Sequence, residues 1–125
     1  MSANPLNAYQ EVATATLSGR QLEATILQKA ASQLLNARRN WEAPDHDALL
    51  DGALRYNQQI WCLFQVELAA EDNPLPVEIR RNLLTLSAFV DKRTFEVMAY
   101  PAPEKLDILI NINQNVAAGL LGDQS

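Results

Sequence analysis

Leu50, Leu54, Asn57, Trp61, Phe64 and Leu68 stand 4, 3, 4, 3 and 4 residues apart. That spacing puts all six on one stripe of an α-helix and fits no strand, whose faces repeat every second residue. Leu49, Ala53 and Ile60 widen the stripe. The implied helix, Asp45 to Ala70, is about 39 Å long at a rise near 1.5 Å per residue. A rod of that length with a broad apolar face must be covered by others of its kind. The rest of the chain supplies them, because its 125 residues include only four Gly and six Pro. So little turn material predicts an all-α, single-domain bundle of about five helices with no sheet, spanning 1–125 with a core over about 4–121.

The other four helices follow from their punctuation. Asn4 as N-cap and Pro5 at the first helical position open a segment to Leu17, with Tyr9, Val12, Ala13, Thr16 and Leu17 on one face. Ser18 and Gln21 have capping-box spacing and start a second helix to about residue 42, although Gly19 can also be absorbed into one helix over 5–42. The break is the favoured reading. The second helix presents Leu22, Ile26, Ala30, Leu34, Ala37 and Trp41, with Arg20, Glu23, Arg38 and Arg39 off the stripe. Pro44 ends it, and Asp45 caps the long central helix. The stretch "EDNPLPVE" is the sharpest break. Beyond it, Pro76 opens a helix to about Tyr100, stepping through Ile79, Leu83, Leu86, Val90 and Val97 with Phe89 and Phe95 at its flanks.

In "LDILININ" Ile108, Ile110 and Ile112 alternate with polar residues as in a strand. The alternation lasts five residues only. Asp107, Asn111 and Gln114 form a narrow polar stripe at helical steps, opposite Leu106, Leu109, Val116 and Leu120. A helix from Pro103 to Gly119 or Gly122 is therefore expected, buried among the others or against a partner. The tail "GDQS" is expected to fray.

Chemistry is sparse. The single His46 lies in "DHD", whose consecutive residues share no helix face, so an acidic first turn fits better than a metal site. The single Cys62, with apolar neighbours and no second Cys, reads as a small core residue. No phosphate loop, GxSxG or HExxH motif occurs. The expectation is a non-enzyme with no cofactor and no metal. One cysteine, no signal-peptide pattern and no long apolar run place it in the cytoplasm, without membrane insertion.

A net charge of −5 argues against DNA. The pairs Arg38–Arg39, Arg80–Arg81 and Lys92–Arg93 allow a local basic patch, but Glu42, Glu78, Asp91 and Glu96 neighbour them. Protein binding is the stronger class. The central and last helices have wider apolar faces than one neighbour covers, and Asn57 and Asn113 on their seams need amide partners if buried. A groove between such helices can receive an amphipathic helix.

"NPLNAYQ", "LRYNQQIWCLFQVEL" and "NPLPVEIRRNLLTLSAFVDKRTFEVMAYPAPEKLDILININQNVAAGL" resemble the FlaF family of alphaproteobacterial flagellar biosynthesis regulators, from about Asn4 to Leu120. "VDKRTFEVMAYP" followed by "LDILININ" is the most specific part. The resemblance implies a cytoplasmic helical protein that influences flagellin synthesis after transcription, acts with a companion regulator, FlbT, and serves flagellin as a secretion chaperone. Its ligand would be flagellin's amphipathic terminal helices. The partner contacts expected on that basis are Tyr9, Trp61, Phe64, Phe89, Phe95 and Tyr100 as anchors, with Gln10 and Asn57 as polar contacts. The alternative is a direct binder of flagellin mRNA working through Arg38, Arg39, Arg80 and Arg81.

Overall fold

The computed structural model describes residues 19–122. Within them the chain forms four α-helices and no strand: α1 (Gly19–Arg39), α2 (His46–Ala69), α3 (Val77–Ala99) and α4 (Leu106–Gly122). A single 3-10 turn, Pro103–Lys105, leads into α4. Four helices stand where about five were expected, since the segment from Pro5 to Leu17, the Ser18 cap and the tail after Gly122 lie outside the described residues.

α1 lies along α4 and also packs on α2, while α3 is applied mainly to α2 and touches α4 lightly. At one end of the bundle Arg38, near the end of α1, grips Asp107 at the start of α4 with two hydrogen bonds, Nε to Oδ1 at 2.6 Å and Nη2 to Oδ2 at 3.1 Å. α1 and α4 therefore run antiparallel. The bidentate geometry fixes the sliding register of the pair.

The core follows the α2 stripe. Leu50, Leu54, Asn57, Trp61 and Leu68 are all buried, and Phe64 packs against the core from its edge. The inward face of α1 is the expected one in part, with Ala30, Leu34 and Ala37 buried and Ile26 packed against the core. Ala24, Leu27, Ala30, Ala31, Leu34 and Ala37 face inward, whereas Leu22 is 40% exposed and Trp41 only partly buried. Four alanines in that set let α4 come close, and close approach outweighs the larger Leu22 in choosing the inward face. Helix α4 buries Leu106, Leu109, Ile110, Ile112, Asn113 and Ala117, so "LDILININ" is helical, as its polar stripe predicted.

Two amides and an indole form a polar chain inside this core. Trp61 Nε1 donates to Asn113 Oδ1 at 2.9 Å, and Asn113 Nδ2 donates to Asn57 Oδ1 at 2.6 Å. All three residues are essentially inaccessible. The chain ties α2 to α4 at one depth, because sliding either helix by a turn would strand buried donors and acceptors. Asn57 Nδ2 ends the chain without a partner.

Arg80 closes the α2–α3 corner, donating from Nε to the Leu68 carbonyl at 3.1 Å and from Nη2 to that of Ala70 at 3.0 Å. These are carbonyls that the end of α2 leaves without helical partners. Asn73 staples the same corner, with Nδ2 donating to the Glu67 carbonyl and Oδ1 accepting from the Leu75 amide. At the other corner Asp45 holds the N-cap position of α2 but makes no side-chain cap bond, contrary to expectation. Its backbone carbonyl accepts from Leu49 instead.

Candidate functional site

The antiparallel arrangement brings the start of α1, the ends of α2 and α4 and the α2–α3 corner to one end of the bundle. A cleft of about 430 Å³ opens there. Phe64 and Leu68 of α2, Pro74 and Leu75 of the corner, Leu83 of α3, and Val116 and Leu120 of α4 form its apolar walls. Trp61 borders it from beneath, with Phe64 set edge-on at a centroid distance of 5.6 Å and an angle of 87°. A helix with side chains is about 10–12 Å across, so a cleft of this volume admits the anchor side chains of one helix face, not a whole helix.

The polar rim is uneven. Gly19, Arg20 and Glu23 come from α1, Glu67 from α2 and Asn73 from the corner. The Glu23 carboxyl is half-buried and shares a hydrogen bond with Glu67. Burial first, then that hydrogen bond and the Glu67 charge, push its pKa from 4.5 up to about 7, against a smaller opposing pull from Arg20. The folded protein therefore holds a proton that the unfolded chain releases between pH 4.5 and about 7. The contribution of Glu23 to stability falls as pH rises through that window and is least favourable above it. α3 and α4 contribute only Leu83, Val116 and Leu120 to the cleft, with no charged group.

The residues singled out in the sequence are dispersed by the fold. Trp61 and Phe64 meet at the cleft. Asn57 is 0% exposed and engaged with Asn113, which corrects its assignment as a partner contact. Trp61 is 1% exposed, so it supports the cleft and offers no free anchor. Phe89, Phe95 and Tyr100 are 39%, 60% and 74% exposed on or just after α3, away from the cleft lining. Arg93 covers the Phe89 ring at 5.7 Å and Lys105 the Tyr100 ring at 5.8 Å. Tyr9 and Gln10 lie outside the described residues.

Leu75, Leu83, Val116, Leu120 and the Glu23–Glu67 pair were not among the sequence candidates. The apolar steps in α3 and α4 were visible, but no spacing reveals which helix ends converge. Cys62 is exposed, not core as expected. It follows Trp61 directly, and one helical step of about 100° turns it away from the buried stripe.

Among the described residues no group of His, Cys, Asp and Glu is arranged to hold a metal, and no helix is long and apolar enough to cross a membrane. His46 packs against Trp41 with ring centroids 4.1 Å apart and planes tilted by 52°, beside Asp47 in the first turn of α2. Of the basic pairs, Arg38 is engaged by Asp107 and Arg80 by two carbonyls, so the proposed RNA-binding set is partly committed to holding the fold.

Neither the curated proteins nor the solved structures contain a match to this chain. A family profile described as Flagellar protein FlaF matches residues 5–120, nearly the whole length. The chain belongs to the FlaF family of flagellar proteins.

Proposed function

We propose that the protein is a non-enzymatic flagellin-binding factor, acting in the cytoplasm before export. It covers an amphipathic terminal helix of flagellin and thereby links the amount of unexported subunit to flagellin synthesis. Membership of a flagellar family supplies the biological setting. The observation that carries the reading is the apolar cleft at the converging ends of α1, α2 and α4, walled by Phe64, Leu68, Leu75, Val116 and Leu120. Flagellin termini pack fully only in the assembled filament, so a subunit awaiting export needs its apolar face covered, and such a cleft takes the anchors of one helix face.

A pull-down of flagellin and of its transcript, each at low and at high salt, tests the proposal. The expected result is flagellin retained at both salt levels, because apolar contacts are little screened, and no transcript at high salt. Capture of the transcript alone, lost as salt rises, would assign the protein to RNA and contradict the proposal.

A further inference from the structure

Helix α3 is the least covered of the four. Its buried residues, Ser87, Val90, Thr94 and Val97, form the face applied to α2, and it touches α4 only lightly. The opposite face is open along the helix. Arg81, Thr85, Ala88, Lys92 and Phe95 stand 4, 3, 4 and 3 residues apart there and are all exposed, with Phe89 and Glu96 beside them. α3 also leaves more large apolar side chains exposed than any other described helix, namely Val77, Ile79, Phe89, Phe95 and Met98. Apolar residues scattered singly on a surface need no explanation, but a concentration on one helix marks a docking face. None of these residues lines the cleft.

Charge selects the occupant. The chain carries −5 overall, yet on this face Arg81 and Lys92 balance Glu78 and Glu96, so a second copy meets no net repulsion there. Neither Arg81 nor Lys92 has an ion-pair partner among the described residues. Glu96 is held loosely, by Arg93 and Lys105 both at 3.7 Å. The order of these groups suits the helix's own copy. Two copies of α3 laid antiparallel about Phe89 set Phe89 against Phe89 and, within one residue, Phe95 level with the copy's Leu84. Arg81 then stands level with the copy's Glu96, twice over by symmetry, and Lys92 with Thr85. Sliding the pair by one turn would oppose Glu78 to Glu96 and Arg81 to Lys92, so like-charge repulsion fixes the register. Thr85 and Ala88 at the crossing are small enough for close approach. We propose that the outer face of α3 pairs with α3 of a second copy in an antiparallel two-fold dimer, closed at both ends by Arg81–Glu96 pairs. At about 1.5 Å per residue the 23 residues of α3 span about 35 Å, and a face about 10 Å wide covers on the order of 350 Å² per copy. Stable complexes bury roughly 800 Å² per partner, so the dimer is weak, with a dissociation constant on the order of 10–100 μM.

The test is sedimentation equilibrium of the full chain over about 5–500 μM, a range in which the wild type should pass from monomer to dimer. Arg81→Glu sets like charges level at both ends of the pair, as does Glu96→Arg, and each variant alone should associate at least about tenfold more weakly. An equimolar mixture of the two restores both pairs with the polarity of one reversed, and should dimerise as the wild type does. That recovery is the mark of direct pairing, and it shows that neither variant has lost its fold. Phe95→Asp should also weaken association by about tenfold, while its affinity for flagellin stays that of the wild type.

A chain that stays monomeric throughout overturns the proposal and leaves the flagellin-binding reading intact, as does a dimer that Arg81→Glu and Phe95→Asp do not change. Single variants that weaken association without recovery on mixing overturn the antiparallel pairing. Loss of flagellin binding in Phe95→Asp would give this face to flagellin and overturn the proposal as well.

Discussion

Trp61→Ala is expected to lower the unfolding free energy by about 3–5 kcal/mol, the range for removing a large aromatic from a packed core. Trp61 is the largest fully buried side chain of the described residues. It braces Phe64 edge-to-face and donates to Asn113, which in turn donates to Asn57. The truncation removes the volume and also strands the Asn113 carbonyl oxygen. Trp61→Phe separates the two effects. It keeps much of the ring volume but deletes the indole N–H, and its expected cost is about 1–3 kcal/mol, that of one unpaired buried acceptor. Urea unfolding of the three chains measures both values, the slope staying constant if only the native state is affected. A loss below about 1 kcal/mol for Trp61→Ala would mean that the polar chain does not organise the core. Domains of this size are stable by about 5–15 kcal/mol, so Trp61→Ala removes a large share of the total. Its effect on binding would then report folding, which is why Trp61 cannot serve as a probe of the cleft.

Phe64→Ala and Leu75→Asp are the probes that can. Both residues are half-buried and line the cleft, Phe64 from α2 and Leu75 from the α2–α3 corner. An apolar anchor buried against a partner is worth about 1.5–3 kcal/mol, so Phe64→Ala should weaken flagellin binding at least about tenfold. Leu75→Asp should do more, because it places a third carboxylate in a cleft whose rim already holds Glu23 and Glu67. The double variant is expected to lose about a hundredfold or more, since each tenfold step is about 1.4 kcal/mol. Circular dichroism should show helical content close to wild type in both single variants. Binding that survives in the double variant would move the partner surface elsewhere, and α3 is the place to look next. There Phe95 is 60% exposed, and Phe89 and Tyr100 are also accessible.

What could be read from the sequence was governed by period. The stripe from Leu50 to Leu68 and the polar stripe of Asp107, Asn111 and Gln114 belong to single helices, and single-helix periodicity is local. Both emerge in the structure as α2 and α4. The need of Asn57 and Asn113 for amide partners was also legible, because burying an amide without a hydrogen bond is costly whatever the fold. That the two satisfy one another, with Trp61 as the third member, depends on the alignment of α2 with α4. Part of the inward face of α1, that of Ala24, Leu27 and Ala31, escaped for a related reason, while Ala30, Leu34 and Ala37 are buried as expected. Leu22 has the greater hydrophobic area, but Ala24, Ala30, Ala31 and Ala37 allow α4 to approach, and only the identity of the neighbour decides between area and closeness.

The cleft was the least legible part. Its anchors come from four elements, and its charge pair joins α1 to α2 across the bundle. Glu23 looked like an ordinary solvated residue off the apolar stripe. Burial in the tertiary fold first, and then proximity to Glu67, raises its pKa. Aromatic content proved a poor guide to the lining of the cleft. It drew attention to Phe89, Phe95 and Tyr100, none of which lines the cleft, while Leu75, Val116 and Leu120 do. Aliphatic residues at helix ends carry no local mark of what they will face.

The most direct measurement is a hydrogen-exchange footprint of flagellin on this protein. If the cleft receives a flagellin helix, slowed exchange on complex formation should map to the first turn of α1, the last turns of α2 and α4, and the corner at Asn73 and Leu75. The outer face of α3 should exchange as in the free protein. Protection confined to α3 around Phe89, Phe95 and Tyr100, or none anywhere, would contradict the account.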